Sequence, residues 1–456
     1  MQILILLIGL FFSYNIFINK GNYKSLLWVL IPMLLINGMI MIIDFPLKMP
    51  IGRWLIFTLL ITHIYNFNRL KFNWGIFPLK STIIFLVIGS LFIGVFDNRL
   101  SFFDKFYAPF RDMTDTYLIL FLGYVTVSNE KDIIRLGKPV FYSMIFVGLY
   151  GLFNFVSNSN PYYEFVINNF FKGGESDFET RRKVLEGTAE RYRATSTFDM
   201  SFNYGYISSL IVLYFVFLFS IIKQKKSLTI GIILGLIGVV LCFSRTVLLV
   251  CLFALFLYIL LSFKAHRILL GIFTCSIILS IGYFSIPILQ KSVDNVLDIF
   301  ITGGESTGGS SVSMREAQTI GAFNYFLHSP IRGNGYDYIT KELGWGDRDN
   351  AVLDSEMAGF ESIIYVWLIE QGLIGILTKF SFFGVIIFYF LKNRNRQFNK
   401  KITGFGLALT AMFLLFSFST GALGAWPITM LLLGVIIKTI QLNNRKYEIL
   451  NSNTRI

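Results

Sequence analysis

The chain has 456 residues, 54% of them hydrophobic and only 15% charged, with a mean hydropathy of +0.64 and a formal net charge of +13. That composition excludes an ordinary soluble domain. A nucleic-acid partner is excluded as well, because the basic residues are scattered through short loops and form no single stripe.

Apolar stretches recur from end to end, each long enough to cross a hydrocarbon core of about 30 Å. They fall near 1–19, 25–43, 51–67, 82–98, 115–128, 139–157, 200–222, 227–243, 246–263, 268–288, 372–391, 402–418 and 424–440. These about 12–14 transmembrane helices predict an all-α polytopic membrane protein. The first stretch has neither a basic n-region nor a small-residue cleavage site, so it reads as a span and not as a removable signal peptide. Lysine and arginine crowd one set of alternate loops: Lys20 and Lys24; Arg69, Lys71 and Lys80; Lys131, Arg135 and Lys138; Lys223, Lys225 and Lys226; Lys264 and Arg267; then Lys392, Arg394, Arg396, Lys400 and Lys401. The opposite short loops hold Lys48, Arg53, Arg99, Lys105, Arg111 and Arg245. By the positive-inside rule the richer set is cytoplasmic. The N-terminus is then outside, the C-terminus inside, and two long polar loops lie on the outer face.

The chain divides accordingly into a transmembrane scaffold at 1–157, a first outer loop at 158–199, central helices at 200–288, a second outer loop at 289–360, and C-terminal helices with a cytoplasmic tail at 361–456. The scaffold carries few polar residues at depth. Both outer loops are expected to contain amphipathic helices. In the first, Ser176-Asp177-Phe178-Glu179 fits a capping box, and Phe178, Leu185, Ala189 and Tyr192 recur on one face of a helix suited to the membrane surface. In the second, a glycine-rich stretch leads to a capping box at Ser313-Met314-Arg315-Glu316 and a helix running to about His328, with Ala317, Ile320, Phe323 and Leu327 on one side. Ser329-Pro330 stops it, and Gly333-Asn334-Gly335 makes a tight turn. Near the end, the small-residue run from Phe416 to Gly421 suits close packing on neighbours. Cys242, Cys251 and Cys275 fall in spans and read as buried free thiols. No repeat of solenoid period and no inverted repeat is visible.

The residues that carry chemistry are outer-face cations and one carboxylate. Arg245 sits in Phe243-Ser244-Arg245-Thr246, in the outer turn between two long spans. A guanidinium there either snorkels to the interface or clamps a lipid phosphate bidentately. Arg193, in Arg191-Tyr192-Arg193-Ala194-Thr195-Ser196-Thr197-Phe198, is a second clamp arm or a solvated loop residue. Arg315 stands at a helix start, where its charge opposes the helix dipole, so it serves something other than its own helix. Arg191, Arg332, His328 and Tyr365 complete the substrate-binding set, although a histidine beside a Ser-Pro helix stop suits a structural role better. Glu361 begins Glu361-Ser362-Ile363-Ile364-Tyr365, where the loop re-enters the membrane. It is the acid or base candidate, against the plainer reading of a helix-start carboxylate. Glu370 lies deeper as a structural partner. The acids Asp337, Glu342, Asp347, Asp349, Asp354 and Glu356 match no ligand template and read as a solubilising loop. No metal, cofactor or P-loop is indicated.

Three segments, in order, resemble the O-antigen ligase and polymerase superfamily of bacterial membrane glycosyltransferases. Arg193-Ala194-Thr195-Ser196-Thr197-Phe198 is similar to the family's Arg-x-x-Gly-Thr-Phe stretch, with Ser196 where glycine is usual. Ser244-Arg245-Thr246 is similar to its Ser-Arg helix start. Arg315, the segment Ser329 to Gly335, and Leu368-Ile369-Glu370-Gln371-Gly372-Leu373-Ile374-Gly375 resemble its long outer loop and re-entry. The likeness covers roughly residues 190–391. Where ligases of the family show His-Asn, this chain has Glu361-Ser362, as many repeat-unit polymerases of the Wzy type do. The resemblance implies a GT-C-like helical fold in the bacterial cytoplasmic (inner) membrane, acting on the extracytoplasmic face. Donor and acceptor would both be undecaprenyl-diphosphate-linked oligosaccharides, joined into O-antigen, capsular or exopolysaccharide chains. The bilayer and a chain-length regulator protein would be partners, with no nucleotide sugar and no metal. In that scheme Arg193, Arg245 and Arg315 hold the diphosphate and Glu361 activates the attacking hydroxyl. The rival readings are a ligase or oligosaccharyltransferase of the same superfamily, and a flippase or transporter of lipid-linked sugars. The last would want ionisable groups at mid-membrane, where this chain offers few beyond Lys379.

Overall fold

The structure is a computed structural model that describes residues 2–43, 49–66, 77–170, 192–223, 225–264, 283–285, 287–302, 312–343, 360–396, 399–420, 424 and 426–453. Among them six helices are long and apolar enough to cross a membrane: Asp132–Ser157, Ser201–Ile221, Arg245–Ser262, Ile363–Arg394, Lys400–Ser419 and Trp426–Ile449. Shorter apolar helices occupy Ile3–Ile18, Tyr23–Leu35, Ile51–Tyr65, Lys80–Val95 and Lys226–Leu241. The chain is thus an all-α multi-pass membrane protein. The expected span at 268–288 and the expected helix after Ser176 fall mainly or wholly outside the described residues, as does Cys275; Cys242 and Cys251 are buried free thiols.

Two expectations about the first half need correction. The stretch 25–43 is helical only over Tyr23–Leu35; beyond it Met41–Ile43 pairs antiparallel with Met49–Pro50. The first long polar loop opens with a helix, Pro161–Phe170, that periodicity did not reveal. Its start was nonetheless written in the sequence. Asn160 Oδ1 accepts the Tyr163 N–H at 3.0 Å, and Pro161 occupies the first helical position, where its missing N–H costs nothing.

Ser201–Ile221 is apolar around nearly its whole circumference, as a helix at the centre of a bundle must be. Its ends and those of its neighbours define two faces. At one, Lys401 Nζ donates to the Ser220 carbonyl at 2.5 Å and Arg394 Nη2 to the Leu261 carbonyl at 3.2 Å. These cations complement the exposed carbonyls and dipoles of two helix C-termini. The opposite face holds the starts of Ser201–Ile221, Arg245–Ser262 and Ile363–Arg394 and the end of Lys400–Ser419. All the candidate residues that lie in the described part belong to this second face.

The Ile363–Arg394 helix is broken at Gly372, which sits at φ 58° and ψ −154°. A break inside a membrane frees carbonyls and N–H groups that must find partners. Here the turn after Ser329-Pro330 supplies them. Asn334 and Gly335 N–H groups donate to the Ile369 and Glu370 carbonyls at 2.8 and 2.9 Å. In return, the Leu373 and Ile374 N–H groups donate to the Pro330 and Ile331 carbonyls at 2.9 and 3.1 Å. Asn334 Nδ2 adds bonds to the Tyr325 and Ile369 carbonyls. The tight turn expected at Gly333-Asn334-Gly335 is present, with both glycines at positive φ. It functions as a splice that closes the gap in the broken helix.

Candidate functional site

The second long polar loop delivers Arg315 to Glu361. Arg315 lies in the first turn of Val312–His328. Its Nη2 reaches Glu361 Oε2 at 2.5 Å and the Ser419 carbonyl at 2.8 Å. The cation that its own helix disfavours therefore serves a carboxylate and the carbonyl end of Lys400–Ser419. Glu361 is not the start of its helix, contrary to the plainer expectation. Ser362 is the cap: its Oγ accepts the Ile364 N–H at 3.2 Å and donates to the Ser417 carbonyl at 3.1 Å. Relieved of capping, Glu361 projects with partial exposure beside Arg315. One turn further along both helices, Tyr365 Oη and Thr319 Oγ1 stand 2.6 Å apart. The face of Val312–His328 with Gly321, Ala322 and Phe326 packs inward, while Ile320, Phe323 and Leu327 stay exposed, an apolar strip turned away from the protein.

A second group forms around Arg245. The Arg245–Ser262 helix begins with it, and its Nη2 lies 3.6 Å from Asp298 Oδ2; both side chains are largely buried. Asp298 comes from Pro287–Ile301, whose Leu297, Phe300 and Ile301 are exposed apolar residues, as an interfacial helix requires. Arg193 is exposed. The neighbouring Ala194 N–H donates to the Leu241 carbonyl at 3.1 Å, which ties the Arg193 segment to the turn that leads into Arg245. Next to it, burial pushes the Tyr192 hydroxyl up to about 12, with Tyr150 and Glu164 adding to the effect.

The stretch after Arg193 explains why it is held there. Thr195, Ser196 and Thr197 are buried. Asn160 Nδ2 donates to Thr195 Oγ1 and the Ser196 carbonyl, Ser196 Oγ to the Val147 carbonyl at 2.7 Å, and Thr197 Oγ1 to the Leu34 carbonyl at 2.8 Å. Ser196 adopts φ 51°, a left-handed conformation that favours glycine. This is the position at which the resembled motif usually carries glycine.

The remaining candidates lie apart from these two groups. Arg332 donates from Nη1 to the Phe96 carbonyl at 2.8 Å, binding the splice turn to the first half of the chain. His328 is exposed and edge-on to Tyr325. Arg191 lies outside the described residues. Glu370 is buried and accepts the Ile339 N–H at 3.2 Å.

Sequence reasoning missed a polar seam that the first half shares with the second loop. Arg111 Nη2 meets Asp337 Oδ1 at 2.7 Å, and Arg99 meets Asp97 at 2.8 Å and Glu342 at 3.6 Å. Lys379, buried beside Trp367, reaches Asp112 at 3.4 Å and also donates to Gln371. The first half is thus more than an inert scaffold, and Asp337 and Glu342 are ion-paired positions and not simply solubilising ones. The other loop acids fall outside the described residues, among which no group of three metal-ligating side chains occurs.

A family model described as O-antigen ligase matches residues 230–380. That segment contains Arg245, Arg315, Arg332, Glu361 and Tyr365, while Arg193 lies outside it, toward the N-terminus. No match was found among curated proteins.

Proposed function

By residues 230–380 the chain belongs to the O-antigen ligase/polymerase superfamily, and from that premise we propose that it polymerises undecaprenyl-diphosphate-linked oligosaccharide repeat units on the outer face of the cytoplasmic membrane. The observation that carries this reading is the pairing of Arg315 with Glu361 on the same bundle face as Arg193 and Arg245. The guanidinium holds Glu361 Oε2 and so orients the carboxylate that would receive a sugar hydroxyl.

In the proposed reaction the hydroxyl at the non-reducing end of the acceptor attacks the anomeric carbon of the donor. The new C–O bond forms as the bond to diphosphate breaks. The diphosphate leaves with the electron pair, and the hydroxyl proton passes to Glu361. Arg193 and Arg245 stabilise charge developing on the leaving group, a role for which oriented guanidinium groups in a partly dry site are well suited. Asp298 occupies Arg245 in the structure, so the diphosphate would displace a carboxylate and would not meet a solvated cation. The exposed apolar strip of Val312–His328 would cover the site from the membrane side and limit hydrolysis of the donor.

Glu361-Ser362 in place of His-Asn favours polymerase over ligase. The ligase reading stands second, because the matching family model carries that description. The test is polymer formation by purified protein from purified lipid-linked repeat units, with no ion gradient. A ladder of lengthening chains supports the proposal. Transfer only to a different acceptor makes the protein a ligase, and no transfer at all, with lipid-linked units moved across vesicles, makes it a flippase.

A further inference from the structure

The first half of the chain contains an apolar groove of about 660 Å³, open on one side, that lies on elements separate from both arginine groups. Helices Ile51–Tyr65, Lys80–Val95 and Asp104–Met113 form its walls. Its lining is an aromatic ladder. Phe57 stacks on Phe110 at 5.8 Å, Phe103 on Tyr107 at 5.5 Å, and Phe102 meets Phe106 edge-on at 5.6 Å. The groove exists because Asp104–Met113 folds tightly back onto Lys80–Val95 at Gly94, where a Cβ would overlap the Lys105 carbonyl and the Pro109 ring. Among the described residues its charged lining is Arg53, whose Nη1 lies 3.5 Å from Tyr107 Oη, and Arg111. Arg111 is also the residue that holds Asp337 of the second outer loop.

A cleft with aromatic walls, arginine as its charged group and a membrane setting fits a hydrocarbon chain with an anionic head. The proposed polymerisation, on which this inference rests, brings two such lipids to one protein. The donor's diphosphate is the leaving group and must lie at the reacting atoms. The acceptor reacts at its non-reducing end, so a whole repeat unit separates its lipid from the chemistry. Its anchor therefore needs a seat of its own, away from the donor's arginines. We propose that this groove seats the isoprenoid chain of the acceptor, with Arg53 facing its phosphate. The Arg111–Asp337 pair joins the wall of that seat to the loop that, through the splice at Gly372, leads to Glu361.

The experiment uses the full chain in phospholipid nanodiscs and a sugar-free prenyl diphosphate bearing a diazirine on its isoprenoid chain. Adducts are expected on peptides from Ile51–Tyr65 and Asp104–Met113, against the excess of bulk phospholipid. Leu91→Trp, which fills the groove, and Arg53→Gln, which leaves it open, should each cut labelling about fivefold or more, equivalent to about 1 kcal/mol of binding. Leu91→Trp should also raise the KM for acceptor without lowering kcat. Labelling that ignores both substitutions, or that maps only to the Arg245 and Arg315 helices, overturns the proposal whether or not the protein polymerises. Groove labelling that responds to both, in a protein that makes no polymer, overturns instead the polymerase reading and the assignment of this lipid as acceptor.

Discussion

Gly372→Ala and Gly384→Ala make the same chemical change on one helix and should have opposite consequences. At Gly372 the backbone occupies φ 58° and ψ −154°, a region essentially reserved for glycine, and forcing alanine into it costs about 1–3 kcal/mol. The added Cβ would also stand 2.8 Å from the Ile331 and Pro330 carbonyls and closer still to the Gly333 nitrogen. Overpacking of that kind adds about 1–3 kcal/mol. With an unfolding entropy of about 2.1 cal/mol/K per residue, a chain of this length shifts by about 1 °C per kcal/mol. Gly372→Ala should therefore lower the melting temperature by about 2–6 °C. At Gly384 nothing lies within 4 Å of the new methyl, and helix propensity alone should raise stability by about 0.5–1 kcal/mol. Thermal melting of both variants in one detergent makes the comparison. Hydrogen exchange at Leu373 and Ile374, whose N–H groups donate to Pro330 and Ile331, should accelerate in the first variant only. Equal melting of the two, with unchanged exchange, would refute the splice.

Glu361→Gln keeps the shape of the side chain but cannot take a proton, so polymer formation should fall about 100-fold or more. Its partly exposed pair with Arg315 is worth about 0.2–1 kcal/mol, so melting should hardly move; a normal ladder from this variant would remove Glu361 from the chemistry. Arg245→Ala removes the guanidinium that faces the largely buried Asp298 and should destabilise the protein by about 3–5 kcal/mol while lipid-linked single repeats accumulate. Adding Asp298→Ala should restore most of the stability and none of the polymer; recovery of both would make Arg245 structural. At Ser196, glycine relieves a left-handed residue worth about 1–2 kcal/mol but loses the bond to Val147 worth about 0.5–1.5, so Ser196→Gly should be near neutral. Ser196→Ala loses the bond and keeps the strain, so it should melt below both; the reverse order would show that the hydroxyl is irrelevant there.

The helices were legible because each apolar run ends where charge or a cap begins. Ser201–Ile221 and Lys400–Ser419 fall within a residue or two of the segments expected at 200–222 and 402–418. Arg315 was legible as misplaced in its own helix, but not its partner Glu361, which lies 46 residues away. The break at Gly372 was hidden because the stretch expected at 372–391 begins there and no proline marks a kink. The Arg111–Asp337 seam spans 226 residues, a separation at which neither periodicity nor local spacing carries information. The helix at Pro161–Phe170 differs: it starts on Asn160-Pro161 and carries no capping box, the signal that marks the other expected loop helices.

The exchange of backbone bonds between 330–335 and 369–374 has a practical corollary for engineering. The outer segment cannot be transplanted as a cassette cut at its visible borders, because half of its anchoring lies in the helix that follows. A chimera joined between Gly335 and Ile369 would bring together two mismatched halves of one joint. Junctions placed before Ser329 and after Ile374 would carry the hinge intact, and with it the register that brings Glu361 to Arg315.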